Sequence, residues 1–344
     1  MRSVYLAIHV RIRFLAEMHP YRQMTRRFAI FAAIVTLAGC GLLSAAESQP
    51  APPQVPDPLT LEQALGFATD HPRVRGGDDP VPLQRRQPLF LGCHSLAFSG
   101  TRGDDANRDT AWSPLLTALA AQRLAIRQRF YDVLLADLSY ARDNEAMAVA
   151  YIQYDRAVAR EELGQFSPLK TAELEAEYQL IRRQRAASEA AQRITRALLA
   201  QALGRPEELS RDLITPDLSS DKPGLPEIEA VVKAALAANP RVAELTADRP
   251  PAVRALVEME VRQQALELLT RLELLNVIAE QARTESNWRD LKLDESRTMY
   301  ELEVKADLGF SMSQQTKARR DEEKVALCQA LTRAELAALQ GEEP

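Results

Sequence analysis

Four long stretches of the chain place apolar residues at helical spacing, with neither glycine nor proline inside any of them. They are Leu115 to Leu163, Leu169 to Leu203, Glu258 to Ala306, and Ser311 to Leu339. At about 1.5 Å per residue, the first stretch alone predicts a helix of roughly 70 Å. That length is typical of coiled coils and rare in globular domains. The pattern therefore predicts an all-α chain built on long antiparallel helical hairpins.

The second of these stretches contains a row of small and apolar residues at coiled-coil spacing. The intervals are four, seven, three, four and three residues, at Ala176, Leu180, Ala187, Ala190, Ile194 and Ala197. Small side chains allow neighbouring helices to approach closely. We therefore expect a narrow helix–helix seam along this row.

Shorter motifs occur twice along the chain, in the same order. A short helix over Leu61–Pro72, followed by Arg73-Val74, recurs as Ile228–Pro240, followed by Arg241-Val242. The sequence ELGQFS at 162–167 recurs as DLGFS at 307–311, and ALG at 202–204 recurs as LQG at 339–341. Three ordered matches indicate a duplication. Each half is predicted to contain a short helix, a variable segment, a long helix, a Gly/Ser turn and a returning long helix.

The duplication divides the chain into segments. We predict a leader at 1–46, a Pro-rich linker at 47–58, a first repeat at 59–204, a linker at 205–226 and a second repeat at 227–341. Within the first repeat, residues 75–110 are rich in glycine and proline and predict irregular structure. In that segment only Leu89 to Ser99 has the length of a strand, and its alternation is poor.

The N-terminal region has the pattern of an export signal. Arg26 and Arg27 precede a ten-residue apolar run from Phe28 to Leu37, which is about half of what a membrane-spanning helix needs. Met24 stands directly before this pattern and is one candidate for the start of the protein. The alternative is a longer leader that begins at Met1.

Two cleavage sites compete in this region. Leu37-Ala38-Gly39-Cys40 resembles a bacterial lipobox, which would make Cys40 the lipidated first residue of the mature protein. Ser44-Ala45-Ala46 instead offers small residues to an ordinary signal peptidase. Both interpretations predict export across the inner membrane.

Composition and charge exclude several classes of function. The 344 residues contain 43 Lys and Arg against 48 Asp and Glu, and a net charge of −5 argues against nucleic-acid binding. Three cysteines are too few for a disulfide scaffold. No phosphate-binding, metal-ligating or nucleophile motif occurs. We therefore predict no catalytic residues, no metal and no cofactor, and a protein that is not an enzyme.

The repeated motifs resemble those of the TolC-like outer-membrane efflux protein family. The residues that carry the resemblance are Leu59-Thr60-Leu61-Glu62-Gln63-Ala64-Leu65 with His71-Pro72, Leu163-Gly164 with Ser167, Asn239-Pro240, and Leu308-Gly309 with Ser311. Each motif is short, and their order, spacing and duplication make the match specific. It covers most of residues 59–74, 120–245 and 258–341.

The resemblance implies a homotrimer in the envelope of a Gram-negative bacterium, in the outer membrane and facing the periplasm. Such trimers conduct small molecules or proteins outward, in tripartite efflux or type I secretion. Their partners are a periplasmic adaptor and an inner-membrane transporter. By position, Gly164, Ser167, Gly309 and Ser311 would lie at the helix tips where the adaptor docks.

The chain departs from the family in the segments that would supply β-barrel strands. Residues 75–110 have the length of a strand pair without the alternation, and residues 243–257 are too few for one. We therefore expect these strands to be missing or degenerate. Two alternatives to the export tunnel follow: a barrel-less periplasmic coiled-coil lipoprotein that acts as a binding or structural partner, and a non-functional truncated relative.

Overall fold

The computed structural model describes residues 54–76, 91–98, 114–208, 211–218, 224–302 and 308–344, all within one compact unit, Pro53–Pro344. The helices are α1 (Leu61–Gly66), α2 (Pro72–Arg75), α3 (Cys93–Phe98), α4 (Ala118–Glu162), α5 (Pro168–Ala202), α6 (Ile228–Ala238), α7 (Pro240–Thr246), α8 (Pro251–Glu301) and α9 (Leu308–Leu339). A 3-10 helix, Phe67–Asp70, joins α1 to α2. The predicted all-α fold with two long hairpins in a two-fold repeat is confirmed.

The four long helices begin and end where the sequence changes character. Thr117 accepts a hydrogen bond from the Ala120 amide at the start of α4, and Ser167 does the same for Lys170 at the start of α5. Pro250 precedes α8, and Pro251 is the first of its 51 residues. With 45 residues, α4 has the length of about 70 Å predicted above.

The long helices form an array in the order α5, α4, α9, α8. Within each half the two helices of the hairpin pack together, and α4 packs against α9 to join the halves. Among the described residues, α5 has no extensive packing with α8 or α9. Helices α5 and α8 are therefore the two edges of the array.

The short helices pack at the end of the array away from the Gly/Ser turns. Helix α1 and the 3-10 helix lie on α4, and α6 and α7 lie on α8. Their apolar residues join two clusters. One surrounds Phe130, Tyr131 and Leu327; the other contains Val231, Ala235, Leu268 and Leu339. A parallel bridge between Leu59 and Leu213 ties the start of the first repeat to the linker.

The row of small residues on α5 does not face α4. Ala176, Leu180, Ala187, Ile194 and Ala197 are exposed, and Ala190 is half-buried. The residues of α5 that are buried in the hairpin include Thr171, Ser188, Thr195 and Leu199. Within the part of the chain that the structure describes, the predicted seam is therefore an unpaired surface.

Two segments can be compared with the expectations about irregular structure and missing strands. The part of 75–110 that the structure describes contains the helix α3, so the expectation of irregular structure is wrong there. Leu89 to Ser99, which has the length of a strand, contains a helix where it is described. Between α7 and α8 lie only residues 247–250, so the interval 243–257 contains no strand.

The cysteines also depart from expectation. Cys93 on α3 and Cys328 on α9 form a disulfide across a sequence separation of 235 residues. Three cysteines are indeed too few for a scaffold, yet two of them join the first half to the second. Cys40 lies outside the described residues, as does the whole predicted leader.

No helix among the described residues combines the length and the apolar character needed to cross a membrane.

Candidate functional site

The turn between α4 and α5 is an exposed helical tip. Gly164 has a φ of 70°, a left-handed conformation that favours glycine. It lets the Gln165 and Phe166 amides donate back to the Arg160 carbonyl, at 2.8 and 3.3 Å. The Arg160 guanidinium lies 5.2 Å from the centre of the Phe166 ring. These contacts give the tip a defined shape.

Ser167 then starts the returning helix. Its Oγ accepts a hydrogen bond from the Lys170 amide at 3.3 Å, and Pro168 occupies the first helical position. Leu163 and Leu169 flank the turn and are strongly exposed. The first tip therefore presents two apolar side chains on a rigid turn.

The second tip is built differently in the part that the structure describes. Residues 303–307 lie outside it, and Gly309 is in the first turn of α9. Ser311 is buried, and its hydroxyl lies 2.7 Å from that of Ser296 on α8. It joins the two helices of its hairpin, whereas Ser167 caps a helix. Phe310 and Met312 on α9, together with Tyr300 and Leu302 at the end of α8, are exposed apolar residues nearby.

A groove of about 400 Å³ lies between α4, α5 and α9, on the side of the array near the tips. Its α9 wall contains Phe310 and Lys317, and its floor contains Arg142 and Asp143, which form an ion pair. Glu177 on α5 closes the third side. Both signs of charge and an aromatic ring line this groove.

Polar contacts fix the two hairpins against each other beside the groove. The Thr316 hydroxyl on α9 donates to the Glu145 carboxylate on α4. One turn further from the tips, Arg320 donates to the Ser139 hydroxyl at 3.2 Å. The groove and the two tips are thus held on one framework.

The opposite ends of the hairpins carry the repeated X-Pro motifs. In the first half, His71 Nδ1 accepts a hydrogen bond from the Arg73 amide, so the proton is on Nε2, which donates to the Gln201 carbonyl at 3.3 Å. Burial lowers the pKa of His71, the Gln201 contact opposes this shift, and the Arg73 charge adds to it. The neutral ring therefore links α2 to the end of α5.

In the second half, Asn239 occupies the equivalent position. Its Oδ1 accepts from the Arg241 and Val242 amides, and its Nδ2 donates to the Leu115 and Leu339 carbonyls at 3.1 and 2.8 Å. Two of the four hydrogen bonds of Asn239 thus cap α7. The other two join it to the segment ahead of α4 and to the end of α9. In both X-Pro motifs, the residue before proline caps a short helix and donates to the end of the returning long helix.

The structure adds residues that sequence reasoning missed. Arg271 on α8 is buried and pairs with Glu335 on α9 at 2.7 Å and with Glu267 at 3.4 Å. Asp132 on α4 is fully buried, pairs with Arg129, and accepts from the Leu91 amide ahead of α3. Helical spacing alone suggests solvated charges at these positions, and no local signal distinguishes the buried ones. Within the described ranges no cluster of His, Cys, Asp and Glu has the arrangement of a metal site.

Comparison with known proteins gives a fold relationship. No family model matches the sequence, and no curated protein matches it. The structure is similar to that of CusC, described in a crystallographic study of the conformational changes that accompany folding and transmembrane channel formation. The TM-score is 0.52 at 11% identity, covering 82% of this chain and 96% of that chain. A membrane protein from Pseudomonas aeruginosa aligns with a TM-score of 0.45 at 12% identity, over 65% of this chain and 68% of that one.

At such low identity the comparison concerns architecture. The long-hairpin array of this chain is similar to the structure of CusC, which supports the TolC-like fold that the repeated motifs predicted.

Proposed function

We propose that this chain is the tunnel component of a tripartite efflux or type I secretion system, a shortened member of the TolC-like family. The observation that carries the proposal is the array of four long helices with two unpaired edges. A hairpin array of this kind leaves apolar surface at both edges, and copies placed side by side would bury it. The role is conduction rather than catalysis.

In this proposal the copies form a homotrimer whose tips point toward a periplasmic adaptor. The exposed Leu163 and Leu169 and the groove beside Phe310 supply a surface for it. Gly164 and Ser167 shape the first tip. At the second, Gly309 lies in the first turn of α9, and Ser311 joins α9 to α8. An inner-membrane transporter would complete the system, with this chain in the outer membrane of a Gram-negative envelope and facing the periplasm.

The first experiment tests membrane association and assembly together. The chain is expressed from Met24, the envelope is fractionated and washed with carbonate, and the remaining protein is crosslinked. The proposal predicts a carbonate-resistant outer-membrane trimer. Lipidation at Cys40 would also give resistance, so Cys40→Ser with a working signal peptide is the matched control. Release of that variant as a soluble monomer would refute the tunnel.

A second candidate is a periplasmic coiled-coil lipoprotein that binds envelope partners without conducting. The observation that favours it is the short connection of residues 247–250 between α7 and α8, where the family has a strand pair. This candidate predicts that wild-type protein is retained in the membrane fraction and the Cys40→Ser variant is not. A non-functional relative would show neither stable assembly nor partner binding.

A further inference from the structure

Helix α3 belongs to the first half by sequence, yet it packs on α8 and α9 of the second half. Just ahead of it, the Leu91 amide donates to the Asp132 carboxylate on α4 at 3.0 Å. Cys93, its first residue, is bonded to Cys328 on α9. Residues 91–98, called the strap here, therefore touch three of the four long helices.

The strap shares one buried apolar cluster with both helices of the second hairpin. The strap contributes Leu91, Cys93 and Ala97, and the hairpin contributes Leu275, Ala282, Leu327, Cys328 and Leu331. Cys93 is 6% exposed and Cys328 is fully buried. A thiol of another protein therefore cannot attack this disulfide while the strap is docked.

The noncovalent contacts of α3 are weak. Six residues are too few for a helix that is stable by itself. The His94 ring is buried, and among the described residues its Nδ1 has no hydrogen-bond partner. Its Nε2 lies 3.9 Å from a Glu267 carboxylate oxygen, which also accepts from Arg271. Because burial removes the His94 ring from water without full replacement of its hydrogen bonds, it opposes docking.

The long helices have contacts of their own that do not involve the strap. Arg271 on α8 pairs with Glu335 on α9 at 2.7 Å. On α4, Asp132 pairs with Arg129 at 3.0 Å and keeps this partner when Leu91 leaves. The hairpins can therefore stay paired without the strap, whereas the strap depends on its covalent bond.

We propose that the strap is a redox-sensitive device. Thiol oxidation closes it over the second hairpin, and reduction releases it while the long hairpins stay folded. In the closed form Cys93 and Cys328 join the two halves covalently. In the open form the apolar surface beneath the strap is accessible. This inference does not depend on whether copies of the chain form a tunnel.

Closing is a thiol–disulfide exchange with an oxidised dithiol protein. The Cys93 thiolate attacks one sulfur of that protein's disulfide, which gives a mixed disulfide and one free thiol. The Cys328 thiolate then attacks the Cys93 sulfur, forms the internal disulfide and releases the second thiol. Cys93 and Cys328 together lose two electrons and two protons, which the dithiol protein takes up. Opening is the reverse exchange with a reduced dithiol protein.

The state of the strap depends on the compartment, because disulfides persist where thiols are oxidised and are rare where they are kept reduced. An exported chain would therefore close the strap after crossing the inner membrane. Cys40 is the third cysteine of the sequence. Its lipidation would leave Cys93 and Cys328 as the two thiols available for the exchange.

Hydrogen exchange of the full chain with Cys40→Ser, with and without dithiothreitol, tests the release. We expect the amides of residues 91–98 to exchange roughly tenfold faster or more after reduction, and those of the long helices to stay protected. Unchanged exchange in the strap would overturn the proposal, since the strap would then stay docked without its bond. Faster exchange throughout the hairpins would overturn it too, because the disulfide would then hold the whole fold.

Maleimide labelling of Cys328 tests whether the surface beneath the strap opens. In the chain with Cys40→Ser and Cys93→Ser, we expect Cys328 to react without reductant and within roughly tenfold of its rate in urea. Protection of Cys328 in the folded variant would mean that the strap docks without a disulfide. That result would overturn the proposal.

The matched control places a thiol at another buried position of α9. Leu336 is 6% exposed and belongs to the cluster that contains Val231 and Ala235 of α6. Leu336→Cys is made in a chain whose three native cysteines are serine, so that the strap is unfastened there too. We expect it to react roughly tenfold more slowly or less than Cys328 in the Cys93→Ser chain. Equal labelling would show a general loosening of the fold and would contradict a local strap.

Discussion

The end of each hairpin away from its tip, called here the base of that half, is held together by a side chain that precedes a proline. The two halves use different side chains for this. In each half a residue before proline caps a short helix and donates to the end of the returning long helix. His71 does this in the first half with one ring nitrogen for each task. Asn239 does it in the second half with an amide, and it also reaches the Leu115 carbonyl ahead of α4. The duplicated requirement is an acceptor and a donor at fixed positions, and either side chain supplies them.

The glycines that follow the returning helices show a second difference. Gly204 and Gly341 both have positive φ, at 74° and 84°. A Cβ on Gly204 would lie 3.3 Å from the His71 ring, while one on Gly341 would lie 2.5 Å from the Ala238 carbonyl oxygen. The second base is therefore more tightly packed, with backbone against backbone.

The largest expected effect concerns the link between the halves. Helix α3 belongs to the first half by sequence, yet it packs on α8 and α9 and is joined to α9 by Cys93–Cys328. Closing a loop of this length restricts the unfolded chain, so Cys93→Ala with Cys328→Ala should lower the free energy of unfolding by about 5 kcal/mol. Denaturant unfolding measures it.

Reductant provides the control for this variant. It should destabilise the wild-type chain and leave the double variant unchanged. Limited proteolysis should then cut near α3 before the long hairpins. Equal stability with and without reductant in the wild-type chain would mean that the link contributes nothing.

The next effect compares the two X-Pro residues directly. Asn239→Ala removes four hydrogen bonds and leaves the Leu115 and Leu339 carbonyls without their donor, so we expect a loss of about 3 kcal/mol. His71→Ala removes two hydrogen bonds, and we expect about 1.5 kcal/mol. Urea midpoints of the two variants, measured at neutral pH, test the ranking. A larger loss of stability in His71→Ala than in Asn239→Ala would contradict the conclusion that the second half is the more tightly packed at this end.

The glycines allow a matched pair of substitutions. Gly204→Ala adds the cost of a left-handed alanine, about 1 kcal/mol, against a ring that can shift slightly. Gly341→Ala adds the same cost and a clash with backbone atoms, so we expect about 2–3 kcal/mol. Thermal unfolding of both variants gives the difference, and equal losses would show that the end of α9 moves freely.

Much of this architecture was predictable because local signals determine it. Runs without glycine or proline gave the four long helices, and the motif that contains Gly164 and Ser167 marked the first turn through hydrogen bonds with near neighbours. The repeated X-Pro and glycine motifs corresponded to contacts that occur in both halves. Each of these signals acts within a few residues or repeats in order.

The features that were missed depend on distant parts of the chain. The row at Leu180 and Ile194 has coiled-coil spacing, but spacing does not say whether its partner is in the same chain. The pairing of Cys93 with Cys328 and the burial of Asp132 arise only when α3 packs on the second hairpin and Leu91, ahead of α3, reaches α4. Ser311 was placed at a tip, and its bond to Ser296 depends on how α8 and α9 face each other.

The smallest expected effect comes from the chemical difference between His71, which can titrate, and Asn239, which cannot. Because burial lowers the pKa of His71, the folded chain favours the neutral ring, and protonation would cost the hydrogen bond that Nδ1 accepts. A lowered histidine pKa gives stability that is complete above the unfolded value of about 6.5 and declines as the pH falls below it.

His71→Asn keeps an acceptor and a donor and removes the titration. We expect urea midpoints of wild type and variant to differ little near pH 7.5. The wild-type midpoint should fall more than that of the variant by pH 5.5. Asn239→Asp, which places a titrating group in the other base, serves as the contrasting variant, since its carboxylate loses both donations to carbonyls and should be destabilised at both pH values. Parallel pH slopes in wild type and His71→Asn would show that His71 does not titrate with folding, and that the two bases differ in shape alone.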